Sequence, residues 1–183
     1  MKKIVLIALT FVTSFSFCQS KKQHPKNISK ETQTNKVDEN TPLVWFTDLM
    51  KADSISKKTN KPIFGFFTGS DWCGWCHKLQ NDVFAKTAFI KWAKEKVVLL
   101  ELDFPRKKQL PTELQQQNSA LAQAFQVQGY PTIWMFTVIK DSSSTKNIQL
   151  NSLGSLGYPS NAEPGKEEVA FLETATKILS KTK

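Results

Sequence analysis

Among its 25 basic residues the chain has a single arginine, Arg106, and its 183 residues include only two histidines and three cysteines. Each scarcity excludes something. Specific nucleic-acid contacts lean on the planar fork of arginine. The lysines here are scattered rather than striped, so the net charge of +9 reads as a solvated surface, with no nucleic-acid partner. Two cysteines and an adjacent histidine do not complete four zinc ligands, and no metal is expected. Seven glycines and eight prolines rule out a collagenous or globally disordered chain. The length suits one domain plus an appendage. No apolar run is long enough to span a bilayer comfortably.

The one long apolar run is N-terminal. Met1-Lys2-Lys3 is basic, Ile4 to Phe17 is apolar but for Thr and Ser, and Cys18-Gln19-Ser20-Lys21-Lys22 turns polar. That is the layout of a secretory signal peptide, read over residues 1–18. Cys18 is assigned to the removed peptide. The alternative is a lipoprotein signal with Cys18 acylated, although Phe17 stands where such signals want a small residue, and only then is the membrane a partner. The expected location is exported, in the periplasm or envelope, lipid-anchored if Cys18 is acylated; disulfides persist there. Cys73 and Cys76 then have only each other as intramolecular partners. Residues 19–41 are polar and read as a flexible tether, and the folded domain is placed at 42–183.

Within that domain Trp45, Phe46, Leu49, Met50 and Ile55 recur near helical spacing, which predicts a helix over 46–59 ended by Asn60-Lys61-Pro62. Ile63-Phe64-Gly65-Phe66-Phe67 is a continuous apolar run, as in a strand buried on both faces. From Cys73 to Trp92 no proline interrupts a helical stripe of Cys76, Leu79, Val83, Phe84 and Ile90. Residues 97–103 form a second buried strand. Thr112 is the expected N-cap of a helix whose inner face is Leu114, Leu121, Ala124 and Phe125. A turn at Gly129-Tyr130-Pro131-Thr132 leads to a strand over 133–139. A hairpin turn at Asp141-Ser142-Ser143-Ser144 leads to another over 147–153. A closing helix over 166–181 buries Val169, Phe171, Leu172, Ala175, Ile178 and Leu179. The order α-β-α-β-α-β-β-α implies a mixed sheet with helices on both faces.

Trp72-Cys73-Gly74-Trp75-Cys76-His77 carries the chemistry. Its spacing fits a disulfide-exchange pair and, equally literally, the C-x-x-C-H pattern of c-type haem attachment. The framework puts Cys73 after a buried strand and a four-residue loop, at a helix start. Unpaired N–H groups and a partial positive charge there stabilise a thiolate. Cys73 is therefore the expected exposed nucleophile and Cys76 the resolving thiol.

Trp-Cys-x-x-Cys after an apolar strand, with Gly129-Tyr130-Pro131-Thr132 some fifty residues later, resembles the thioredoxin superfamily. The string from Phe67 to Leu79 is similar to its secreted bacterial branch, near the C-terminal domain of the reductant conductor DsbD. The resemblance covers about residues 43–183. It implies a thioredoxin-like three-layer α/β/α sandwich with a four- to five-stranded mixed sheet. It also implies a cis peptide bond before Pro131 and a peptide groove beside it. Cys73 and Cys76 become the catalytic pair, with no cofactor, and Trp72, Gly74, Trp75, Tyr130, Pro131 and Thr132 become substrate-binding positions.

The chain departs from the family pattern in one respect. Many thioredoxins hold a buried Asp in the strand before the cysteines, and residues 63–67 hold no acid. Glu101 or Asp103 on the next strand takes the proton-relay role by analogy. The expected activity is an envelope thiol–disulfide oxidoreductase that reduces or repairs disulfides. Its expected partners are exported proteins with cysteine pairs and a membrane or soluble thiol reductant. The alternatives are a c-type haem protein through Cys73, Cys76 and His77, or a non-catalytic peptide-binding module of the same fold.

Overall fold

The computed structural model describes residues 42–140 and 148–181. The signal peptide with Cys18, the tether and the turn expected at Asp141–Ser144 lie outside the described residues.

The expected apolar run forms β2, Ile63–Thr68, and every one of its residues is buried. It lies at the centre of a five-stranded sheet. The other strands are β1 (Trp45–Phe46), β3 (Val98–Asp103), β4 (Thr132–Lys140) and β5 (Ile148–Leu156), in the order β1-β3-β2-β4-β5. β3 runs parallel to both β1 and β2, and β4 runs antiparallel to β2 and β5. Alternation along β2 sends Phe64 and Phe66 to one face and Ile63 and Phe67 to the other.

The first face is covered by α2 (Gly74–Leu79), α3 (Thr87–Lys96) and α5 (Glu167–Ser180). The second is covered by α1 (Leu49–Thr59) and α4 (Thr112–Ala124). The result is a three-layer α/β/α fold with a mixed sheet. An aromatic lattice fills the first face. Phe64 meets Trp45, Phe84, Phe89, Trp92 and Phe171 at centroid distances of 5.8–6.2 Å. Each such buried ring stabilises the fold by about 1.5–3 kcal/mol through area alone.

Six expectations need correction. Trp45 and Phe46 do not open a helix; they pair with Leu99 and Leu100 as an edge strand. The helix begins at Leu49 because the Asp48 carboxylate accepts the N–H groups of Met50 and Lys51. Met50 then turns outward, 43% exposed.

The helix expected from Cys73 to Trp92 is broken. One π turn, Gln80–Phe84, separates α2 from α3, and the N–H of Ala85 reaches back to the carbonyl of Gln80. The sequence has neither Gly nor Pro there. The extra residue re-registers the chain so that Phe84 and Phe89 stack at 4.6 Å against the sheet.

Thr112 is the first helical residue of α4, with Pro111 at the cap position. Asn118, rather than Ala124, shares its buried face with Leu121. In α5, Val169 is exposed while Phe171, Ala175 and Ile178 are buried.

Candidate active site

Where β2 ends, Gly69-Ser70-Asp71-Trp72 turns the chain through bonds from the N–H groups of Trp72 and Cys73 to the Gly69 carbonyl, at 3.2 and 2.9 Å. Cys73 is the N-cap of α2, in an extended backbone conformation. It is disulfide-bonded to Cys76, with a Cα–Cα distance of 5.2 Å. The N–H of Cys76 points at the Cys73 sulfur, 3.2 Å away. A donor held there stabilises negative charge on that sulfur once the disulfide opens. Cys73 is 5% exposed and Cys76 is wholly buried, so only Cys73 reaches the surface, and only just.

Three residues of this loop, Ser70, Asp71 and Trp72, are fastened to the end of β3 and the segment after it. Asp103, itself buried, accepts from the Ser70 N–H at 2.8 Å and from the Ser70 hydroxyl at 2.7 Å, and pairs with Lys108 at 3.0 Å. Asp71 accepts from the backbone N–H groups of Arg106 and Lys107. Those bonds hold its carboxyl below the ordinary range. The Trp72 indole donates to the Phe104 carbonyl at 2.8 Å. His77 donates from Nε2 to the Ser70 carbonyl at 2.9 Å, since a carbonyl can only accept.

Aromatic rings border the disulfide on both sides. Trp72 meets Tyr130 edge to face at 5.8 Å, and Phe104 stacks on Tyr130 at 5.2 Å. Burial pushes the Tyr130 phenol up. Across the site, Trp75 is 57% exposed and leans on Tyr158 at 5.2 Å. Tyr158 donates to Asp82, which also binds Lys78. The Tyr130–Pro131 peptide bond is cis. Thr132 opens β4 opposite Phe67, its hydroxyl donating to the Gly129 carbonyl. Gly74 is exposed, and a side chain there would meet nothing within 4 Å.

The two acids proposed as relays differ. Asp103 is spent on Ser70 and Lys108. Glu101 pairs in register with Phe66, whose ring belongs to the same cluster as both cysteines. Its carboxyl is pushed up, first by burial and then by the charge of Asp103.

Sequence reasoning missed Ser70, Phe104, Arg106 and Tyr158 as parts of the site. Arg106 had one signal, its uniqueness. The others had none beyond polarity or aromaticity. Among the described residues, no group of three or more His, Cys, Asp or Glu side chains could hold a metal ion.

Residues 49–145, more than half of the chain, match the family model of the thioredoxin-like domain, and the chain belongs to that family. It is similar to the disulfide bond reductase DsbH of Chlamydia pneumoniae, with 41% identity over 78 residues, 43% of this chain and 47% of that protein. It is also similar to the thioredoxin-related protein DsbJ of Chlamydia pneumoniae, with 27% identity over 132 residues, 72% of this chain and 36% of that one. The matches thus span less than half of either relative. A solved DsbH oxidoreductase structure superposes with a TM-score of 0.63 at 29% identity, covering 83% of this chain and 94% of that one. A thioredoxin from Thermus thermophilus superposes with a TM-score of 0.51 at 13% identity, covering 76% and 88%, which speaks to the fold alone.

Proposed function

We propose that the protein is a thiol–disulfide oxidoreductase of the bacterial envelope that reduces or repairs disulfides in exported proteins. The observation that carries this reading is the Cys73–Cys76 pair at the start of α2, with only Cys73 at the surface and the N–H of Cys76 aimed at its sulfur. The direction is supported by the likeness to a protein named a disulfide bond reductase. The envelope location is supported by the signal-peptide pattern of residues 1–18. Among the described residues no helix is long and apolar enough to cross a membrane.

In the reduced protein the Cys73 thiolate attacks a substrate disulfide. A Cys73–substrate mixed disulfide forms and one substrate sulfur leaves as thiolate. The Cys76 thiolate then attacks the Cys73 sulfur, closing the disulfide described here and releasing the second substrate thiol. Two electrons pass to the substrate, and a membrane or soluble dithiol donor returns them. Glu101 takes the Cys76 proton as that thiol becomes nucleophilic, a role suited to a half-buried carboxyl with a raised pKa. Trp72, Trp75 and Tyr130 form the walls that receive the substrate, and Gly74, Pro131 and Thr132 present backbone to it.

An insulin-reduction assay with a regenerating dithiol tests the reading. Activity is expected in the wild type and none in Cys73→Ala, while Cys76→Ala traps mixed disulfides with its partners. A wild type with no reductase, oxidase or isomerase activity ends the proposal.

A further inference from the structure

The only arginine of the chain lies against the active-site rim. The Arg106 guanidinium is centred 3.7 Å above the Trp72 ring, and Trp72 directly precedes Cys73. A stacked guanidinium keeps its N–H edges outward, free to take a carboxylate by two parallel bonds, and the stacking holds it in place. The segment carrying it is pinned from below. Asp71 binds the Arg106 and Lys107 N–H groups, and Trp72 binds the Phe104 carbonyl.

Beyond Arg106 a groove of about 310 Å³ continues along Pro105, Lys108, Gln109, Gln115 and Ser119. Its lining includes two cations and one acid, Asp103, already paired with Lys108. Asp71 is turned to backbone donors. Against the carboxylates of Asp71 and Asp103 stand the exposed cations Arg106, Lys107 and Lys108, so the balance of charge on this side of the disulfide is positive.

Resting on the proposed oxidoreductase reading, we infer that Arg106 selects substrates in which an Asp or Glu lies within a few residues of the reactive cysteine. An extended peptide advances about 3.3 Å per residue. A substrate whose cysteine sits at Cys73 therefore lays the next one or two side chains over Trp72. The carboxylate is held on Arg106, and the neighbouring lysines steer it there. On the opposite wall, Trp75 on Tyr158, the cation over the ring is Lys78, which is already paired with Asp82. Selection is thus one-sided with respect to the disulfide.

The test uses the full chain and three peptide disulfides that differ only in a Glu, Gln or Lys beside the cysteine. kcat/KM is measured for each at low and high salt. The wild type is expected to favour the Glu peptide over the Lys peptide by about three- to tenfold at low salt, through KM, with the preference shrinking in salt. Arg106→Glu is expected to reverse the order, which a merely misfolded variant cannot do. Arg106→Lys keeps the charge but loses the fork and the stack, and should retain only part of the preference. Equal rates on all three peptides with active wild type overturn this inference and leave the oxidoreductase reading standing. An unaltered preference in Arg106→Glu overturns it as well. Inactivity on every peptide and on insulin overturns both.

Discussion

The Asp103 carboxylate grips Ser70 twice, at the backbone N–H and at the hydroxyl, across 33 residues of sequence. These bonds tie the end of β3 to the loop that delivers Cys73. Asp103 is only 7% exposed, so removing its carboxylate strands two donors beside the buried strand ends. Asp103→Ala is expected to cost about 1–3 kcal/mol in urea unfolding of the oxidised protein. Lys108→Gln should cost less than about 1 kcal/mol, because the lysine side chain is 56% exposed. Equal losses in the two variants would contradict this account.

Glu101 makes stability depend on pH in a definite direction. Its pKa in the fold is raised above the ordinary 4.5, so the native state holds this proton more tightly than the unfolded chain. Its contribution is fully present below 4.5 and falls as the pH rises through the folded value. Glu101→Gln removes that loss. The urea midpoint of the variant is expected to gain on the wild type between pH 4 and pH 7. In single-turnover assays the same variant should slow release of the Cys73 mixed disulfide by about tenfold or more. A constant midpoint difference across that range would refute the assignment.

Gly69 leaves room for the Trp72 indole. A Cβ added there would come within 2.5 Å of the ring nitrogen and 2.8 Å of Cζ2. Gly69→Ala is therefore expected to displace Trp72 from the Phe104 carbonyl and from Arg106. The expected loss is about 1–3 kcal/mol, as for overpacking elsewhere. A shifted tryptophan emission spectrum should accompany it. Native emission and native stability together would show that the loop yields without moving the ring.

Asp71 titrates with the opposite sign to Glu101. Its pKa lies below the ordinary 3.8, so the bonds to the Arg106 and Lys107 N–H groups hold above that value and are lost as the pH falls through the folded one. The protection of the Arg106 and Lys107 amides, referred to the intrinsic exchange rate at each pH, is expected to fall on acidification. In Asp71→Ala their protection should be low at every pH. Protection that survives the substitution would show that another contact pins the segment.

Much of the architecture was legible because it is written in short-range pattern. The continuous apolar run from Ile63 to Phe67 fits a strand covered on both faces, and Asn60 and Pro62 terminate α1 by their own backbone preferences. Trp45 and Phe46 were misread because two residues cannot display a period. Their strand exists only because Leu99 and Leu100 offer an open edge. The π turn at Gln80–Phe84 was invisible for a related reason. It accompanies the long-range packing that stacks Phe84 on Phe89, and no helix-breaking residue marks it.

At the site, spacing alone places Cys76 one turn beyond Cys73, and the bond between the two sulfurs is a local matter. Which side chains surround that bond is not. Asp103 on Ser70, Arg106 on Trp72 and Tyr158 on Trp75 join residues 33, 34 and 83 positions apart. No periodicity constrains such pairs. The order of strands in the sheet and the register of β3 on β2 bring them together. The sequence by itself thus determined most of the elements, the two cysteines and the chemistry open to them. The tertiary structure decided which acid is locked to Ser70 and Lys108, which is left half-buried on the face of the cysteines, and which cation stacks on Trp72. Those choices rest on long-range packing and on the burial of particular charges.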